Sequence, residues 1–304
     1  MQNNFSTNKK NIKSQTAIEY LVTYGWAILI IVIVISIFIY SSFFSNASNK
    51  IYVIPGECSV YRPTVSTGIL QPSMKGLCNN APPEYVAQFI GQGFISSLIP
   101  IIPEGTNSIT FTMWFNGANT AMSNPPYADP NLLSYGAESS CNPGQPADIY
   151  INNHQVNINW WCGGISIPMT VQNNTWYFIA YSWNGLVASG FGGFGNLFIN
   201  STASEINSIS ASGIAIGTYG GAQTGNGPFV GYISNLQIYN SSLSPSEIQV
   251  LYQEGIGGAP INLNHLIAWY PLDGNPYDYS GYGNNGTAIN VIFVSNWQSG
   301  YTAP

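Results

Sequence analysis

Hydrophobic residues follow three patterns along this chain. Residues 28–39 are a nearly unbroken run of Ile, Val and Leu, and no residue between Tyr20 and Asn49 is charged. About 20 apolar residues are needed for a helix to cross a bilayer, so the run predicts one long helix over residues 15–45. From residue 84 the period drops to two. Ser108–Phe115 places Ile109, Phe111, Met113 and Phe115 on one side, the alternation of a half-buried strand. Residues 85–94 read as two short strands around Gly91, and residues 176–183, 197–199, 214–216 and 229–239 as further strands. Asn184-Gly185 behind Trp183 is the strongest short hairpin signal. The third pattern starts at Ser244-Pro245-Ser246-Glu247, a capping box with proline at the first helical position. Ile248, Leu251 and Tyr252 keep helical spacing, and Gly255 closes the turn.

These patterns divide the chain into a leader (1–14), a membrane helix (15–45), a neck (46–83), an all-β region (84–256) and a C-terminal segment (257–304). In the neck, residues 51–54 read as a strand, and the stretch from Cys58 to Cys78 as a loop rich in Ser, Thr, Gly and Pro. Residues 116–162 carry weak strand signals and read as a long loop region.

Charge sharpens this division. Only 6% of residues are charged, against about 25% in ordinary globular chains. All six basic residues (Lys9, Lys10, Lys13, Lys50, Arg62 and Lys75) precede residue 76, whereas ten acidic residues follow it. A region without cations cannot release counterions from a phosphate backbone, which excludes nucleic acid as a partner. Lys9, Lys10 and Lys13 stand before the apolar run. The positive-inside bias puts residues 1–14 in the cytoplasm and everything after residue 45 outside, as a single-pass cell-membrane protein. All four cysteines lie beyond the helix, as expected of an oxidising exterior. Their spacing favours Cys58–Cys78 and Cys141–Cys162 over the two other pairings. A zinc site is disfavoured, because there is no C-x-x-C and His154 and His265 are the only histidines.

Glu19 sits just inside the apolar run, where a bare carboxylate is expensive. The stretch Lys13-Ser14-Gln15-Thr16-Ala17-Ile18-Glu19-Tyr20 and the residues to Leu29 resemble the archaeal type IV pilin-like (class III) signal segment. The resemblance implies cleavage by a prepilin peptidase between Ser14 and Gln15, a departure from the family in that glycine more often precedes the cut. It also implies that Glu19 pairs with the N-terminal amine of a neighbouring pilin-like subunit in a pilus-like filament. An uncleaved signal anchor, or a secretory signal cut near Ser45-Asn46-Ala47, accounts for neither Glu19 nor the spacing around it.

A second resemblance covers about 170 residues. Tyr85–Gly91, Ser108–Phe115, Trp176–Ala180, Gly231–Asn240 and Leu243–Ile248 resemble the laminin-G-like, concanavalin A-like jelly roll. This implies a mainly β, two-sheet antiparallel sandwich of a kind common in adhesins, lectins and glycan-binding modules. Leu266–Gly274, Asp278–Gly281 and Gly283–Gly286 resemble the opening of such a domain, here placed at the chain's end. Either they are a truncated repeat or they fold back onto the first sandwich. Folding back is favoured because unpaired strands would leave open edges.

Catalytic signals are absent. No Glu-x-Asp-x-Glu cluster of the sandwich hydrolases occurs, and two histidines without Gly-x-Ser-x-Gly make no triad. No cofactor is expected, except that Asp273 and Asp278, among Gly and Asn, can offer oxygens to Ca²⁺. The alternative is that both cap turns through their own backbone. Loops on a rigid scaffold commonly carry function, so recognition is expected between Asn116 and Cys162, which holds Asp129, Asp148, His154, Trp160 and Trp161. Adjacent tryptophans in a strand point to opposite faces, leaving one to stack on a sugar ring beside Asp148 or His154. The expected function is a pilin-like surface protein displaying a module for adhesion or for a surface glycan or glycoprotein. The alternatives are a structural or accessory pilin without a ligand and a membrane-anchored glycan hydrolase.

Overall fold

The computed structural model describes residues 22, 24–35, 59–63, 70–75, 82–97, 101–102, 108–118, 129–137, 147–160, 163–194, 196–204, 210–219 and 227–304. Ser14, Gln15, Glu19 and the cysteines Cys58, Cys78, Cys141 and Cys162 lie outside the described residues, and so do both expected disulfides. The chain divides into two units, residues 1–52 and 53–304. In the first, residues 24–35 form a helix (α1) whose apolar side chains, such as Ile28, Ile30 and Val32, are exposed. Among the described residues no helix is long and apolar enough to cross a membrane. The two ends of the expected 15–45 helix lie outside them.

The second unit begins with a hairpin of β1 (Ser59–Pro63) and β2 (Leu70–Lys75). This corrects the reading of an irregular loop there. Pro72 hid the strand, since proline ordinarily demotes a run to non-strand. It pairs with Tyr61 next to a register shift, where the ladder is already interrupted.

An antiparallel sandwich follows. Its strands are β3 (Val86–Ser97), β4 (Ile109–Gly117), β5 (Asn131–Ala137), β6 (Ala147–Asn152), β7 (Gln155–Trp160), β8 (Gly163–Ile167), β9 (Trp176–Trp183), β10 (Val187–Phe194), β11 (Asn196–Ser204), β12 (Ser210–Ile216) and β13 (Gly231–Tyr239). After helix α2 (Pro245–Gln253) come β14 (Leu266–Tyr270) and β15 (Thr287–Val294). One layer is β11-β10-β9-β4-β13-β14 and the other β15-β3-β12-β5-β6-β7-β8. The layers are joined where β13 pairs with both β3 and β4. On the far side they meet again: a Cβ at Gly190 of β10 would stand 3.0 Å from Ile165 and 3.1 Å from Ile167 of β8. The core between them holds Phe89, Phe111, Phe115, Tyr135, Ile158 and Ile179 among others.

Three sequence expectations change here. Residues 85–94 are not two strands but part of the single strand β3, which absorbs Gly91 at φ +70° opposite a register shift at Ile289/Val291 of β15. Residues 116–162 are not one long loop, because they contain β5, β6 and β7. Finally, β4 is buried on both faces rather than one, as is its neighbour β9. Ile109, Phe111, Met113, Tyr177, Ile179 and Tyr181 face the inter-layer core, while Trp114, Trp176 and Phe178 face a second cluster.

That second cluster exists because α2 and the C-terminal segment cover the outside of the first layer. Ser244 caps α2 by accepting from the Glu247 amide at 3.3 Å, and Glu247 accepts from the Ser244 amide at 2.8 Å. The helix buries Ile248, Leu251 and Tyr252, and Tyr252 stacks on Trp114 with centroids 5.8 Å apart. The segment 257–304 lies on the same sandwich: β14 pairs with β13, and β15 with β3. Trp297 is buried beside Trp176, accepts from its indole N–H at 3.0 Å through the main-chain oxygen, and donates its own to the Pro83 carbonyl at 3.1 Å.

Candidate functional site

Strands β6, β7 and β8 alternate strictly. Ile149 and Ile151, Val156 and Ile158, and Ile165 and Ile167 enter the core. Successive side chains point to opposite faces, so Asp148, Tyr150, Asn152, Asn157, Asn159 and Ser166 line the outer face. A ladder of directly opposed residues crosses it: Ser134 of β5, Asp148, Asn159 and Gly164. The face opens from one side to the other. Ser134 and Asp148 are buried, Tyr150 and Asn157 are half-buried, and Asn159, Gly164 and Ser166 are exposed.

Asp148 is the most perturbed group on this face. It is 5% exposed, and its Oδ1 has no hydrogen-bond partner. Burial pushes its carboxyl up to about 7; a hydrogen bond from Asn159 opposes the rise and the charge of Asp129 adds to it. Burial, together with Asp148 and Asp129, also raises the Tyr150 phenol. Asp129 accepts from Asn152 Nδ2 at 2.9 Å through Oδ2, and its carbonyl accepts from Asn131 Nδ2 at 2.8 Å. Asn131, opposite Tyr150, keeps a second buried and unpartnered oxygen, Oδ1. On the open side Ser166 donates to Asn157 Oδ1 at 2.6 Å, and Asn157 Nδ2 donates to the Gln155 carbonyl at 3.1 Å. Ser134 donates to the Thr218 carbonyl at 3.0 Å.

His154, Asp273 and Asp278 do not join Asp148. His154 lies in the two-residue turn between β6 and β7, where Asn153 and His154 both take positive φ (45° and 63°), as a type I′ hairpin requires. Its Nδ1 lies 3.0 Å from the Val171 carbonyl, and its own carbonyl accepts from the Val171 amide at 2.8 Å. It stands about 20 Å of extended chain from Asp148. Trp160 ends β7 opposite Gly163, and Trp161 lies outside the described residues. Asp273 and Asp278 tie down main chain. Asp273 Oδ1 accepts from the Tyr85 amide at 2.6 Å. Asp278 accepts from the amides of Trp269 (3.0 Å), Ser280 (2.7 Å) and Asn284 (3.0 Å) and from the Ser280 hydroxyl (2.8 Å). Among the described residues no group of three or more His, Cys, Asp or Glu is arranged to hold a metal ion.

Sequence reasoning passed over Asn131, Ser134, Tyr150, Asn157, Asn159 and Ser166. The signal for most of them was present, since residues 147–167 alternate apolar and polar around Asn153-His154.

The fold is therefore a two-layer antiparallel sandwich with one buried-to-open polar face. Residues 96–249, half of the chain, match a laminin-G-like model of the concanavalin A-like lectin/glucanases superfamily. The chain belongs to that superfamily. Among solved structures it resembles a Bacteroides ovatus protein assigned to carbohydrate binding, at 15% identity and TM-score 0.51, over 70% of this chain and 60% of that one. It thus spans about 60% of that relative's length. A heptameric SAP-like pentraxin from Limulus polyphemus matches at 14% identity and TM-score 0.48, over 69% of this chain and 94% of that one. The CBM40 of a Ruminococcus gnavus IT-sialidase, bound to α2,3-sialyllactose, matches at 17% identity and TM-score 0.38, over 54% and 98%. At these identities the likeness is one of fold. No curated protein sequence matches the chain.

Proposed function

We propose that this chain is a cell-surface protein that binds a glycan, without turning it over, on the outer face of β5–β8. The observation that carries this reading is the Asp148–Asn159 corner. A buried carboxylate oxygen lacks a partner there, at the closed end of a row of amides and hydroxyls. Such groups donate and accept in pairs, which matches the paired roles of sugar hydroxyls, and Tyr150 adds an aromatic body. Membership of the concanavalin A-like superfamily supports the reading. The N-terminal sequence supports a pilin-like setting: cleavage between Ser14 and Gln15, Glu19 paired within a filament of pilin-like subunits, and the sandwich held outside a single-pass membrane helix. The test is a glycan array probed with the full chain in a non-glycosidic detergent. Asn159→Ala and Tyr150→Ala should each lower binding at least tenfold while leaving the melting curve unchanged. Binding that survives both changes would reject this face.

One observation favours a second reading, a glycan hydrolase. Burial raises the Asp148 carboxyl to about 7, and a second carboxylate, Asp129, adds to the rise; glycosidases use carboxyl pairs with unequal pKa. Release of reducing sugar from a bound glycan, abolished by Asp148→Asn, would establish that reading instead.

A further inference from the structure

We infer that the β5–β8 face takes uncharged, hydroxyl-rich saccharides and excludes acidic ones; the inference rests on the glycan-binding reading above. An anionic sugar is ordinarily held by an arginine fork, a lysine, a free helix N-terminus or a bound cation. Beyond Lys75 the chain has no lysine or arginine and ten acidic residues. The start of α2 is already taken by the Glu247 carboxylate. His154, the imidazole of this hairpin, is engaged at the turn with Val171.

What the face offers instead is acceptors that lack donors. Asp148 Oδ1 and Asn131 Oδ1 are both buried and unpartnered, on neighbouring strands and on the same side of the sheet. A buried acceptor left unpaired carries its full desolvation penalty; both oxygens lie beneath the surface, so a sugar hydroxyl supplies the missing hydrogen once the side chains turn outward. An ionised sugar carboxylate or sulfate cannot, because it only accepts. It would also bring a further negative charge beside Asp129 and beside the ionised form of Asp148, where the low dielectric strengthens repulsion.

The experiment is an array of matched pairs, such as lactose with sialyllactose and neutral oligosaccharides with their sulfated or uronic acid counterparts. It is probed with the full chain in a non-glycosidic detergent. The expected result is at least tenfold stronger binding to the neutral member of every pair that binds. Combining Asp148→Asn with Asp129→Asn should narrow that gap. Equal or stronger binding to acidic members overturns the inference and leaves glycan binding standing. Absence of binding to any member overturns both. A gap unchanged in the double variant, with its melting curve intact, overturns the part given to the two carboxylates.

Discussion

Asp148 sets the pH response of the sandwich. Its carboxyl is raised from 3.8 to about 7, so between those values the folded state holds a proton that the unfolded state has released. Stability therefore falls as pH rises from about 4 to 7. The penalty, on the order of 4 kcal/mol, is absent below this window and fully present above it. Asp148→Asn should raise the melting temperature at pH 8 and flatten most of the decline between pH 4 and 7. A wild-type melting temperature constant across that window would contradict this. Asp148 was legible in the sequence as an acid in the right region, and so was its neighbour Asp129. Asn157 and Asn159 were not singled out, because asparagine is common throughout this chain and only the alternation with Val156 and Ile158 separates them from turn residues. His154 differs from them. Its ring and main chain hold a turn against Val171, a role that the linear sequence does not show.

At the scale of elements, local signals were read well and distant covers were not. The capping box at Ser244 needs only four consecutive residues, and it stands in the structure as the sequence implied. Ser244→Ala should cost about 1 kcal/mol, lowering the melting temperature by roughly 2–4 °C, as calorimetry would register. The double burial of β4 and β9 is different. Their alternation reveals one apolar face, but whether the other faces water depends on α2 and Trp297, which lie far along the chain. Trp114 and Trp176 on that second face were the available hint. Trp297 is 1% exposed and satisfies indole and carbonyl bonds on either side of it. Trp297→Ala should therefore cost about 3–5 kcal/mol, measured by denaturant titration. A loss under 1 kcal/mol would mean that the second cluster closes without it.

At the scale of the whole molecule, the laminin-G-like sandwich was legible from five motif segments, but how its ends close was left between two alternatives. A laminin-G-like opening stands at residues 266–286, yet its strand β14 pairs with β13 of the preceding sandwich, and β15 then pairs with β3. The last residues of the chain thus complete a sandwich that β3 and β13 begin. Removing residues 257–304 would take away Leu266, Trp269, Tyr270, Leu272 and Trp297, all buried. At about 1.5–3 kcal/mol for each large side chain, the loss is comparable with the whole 5–15 kcal/mol by which domains are ordinarily stable. The truncated chain should show no cooperative melting. Deletion alone cannot tell lost closure from generic damage, so the converse rearrangement matters more. The Trp297 indole reaches the Pro83 carbonyl, which places the C-terminal segment beside the start of the sandwich. A permuted chain running 257–304, a short flexible linker and then 82–256 should restore the usual order of such a domain. It should fold with a melting temperature within a few degrees of the unpermuted 82–304 fragment measured in parallel. If the truncated chain melts cooperatively, or the permuted chain fails to fold while the 82–304 fragment folds, closure by the C-terminal segment is not what holds the sandwich together.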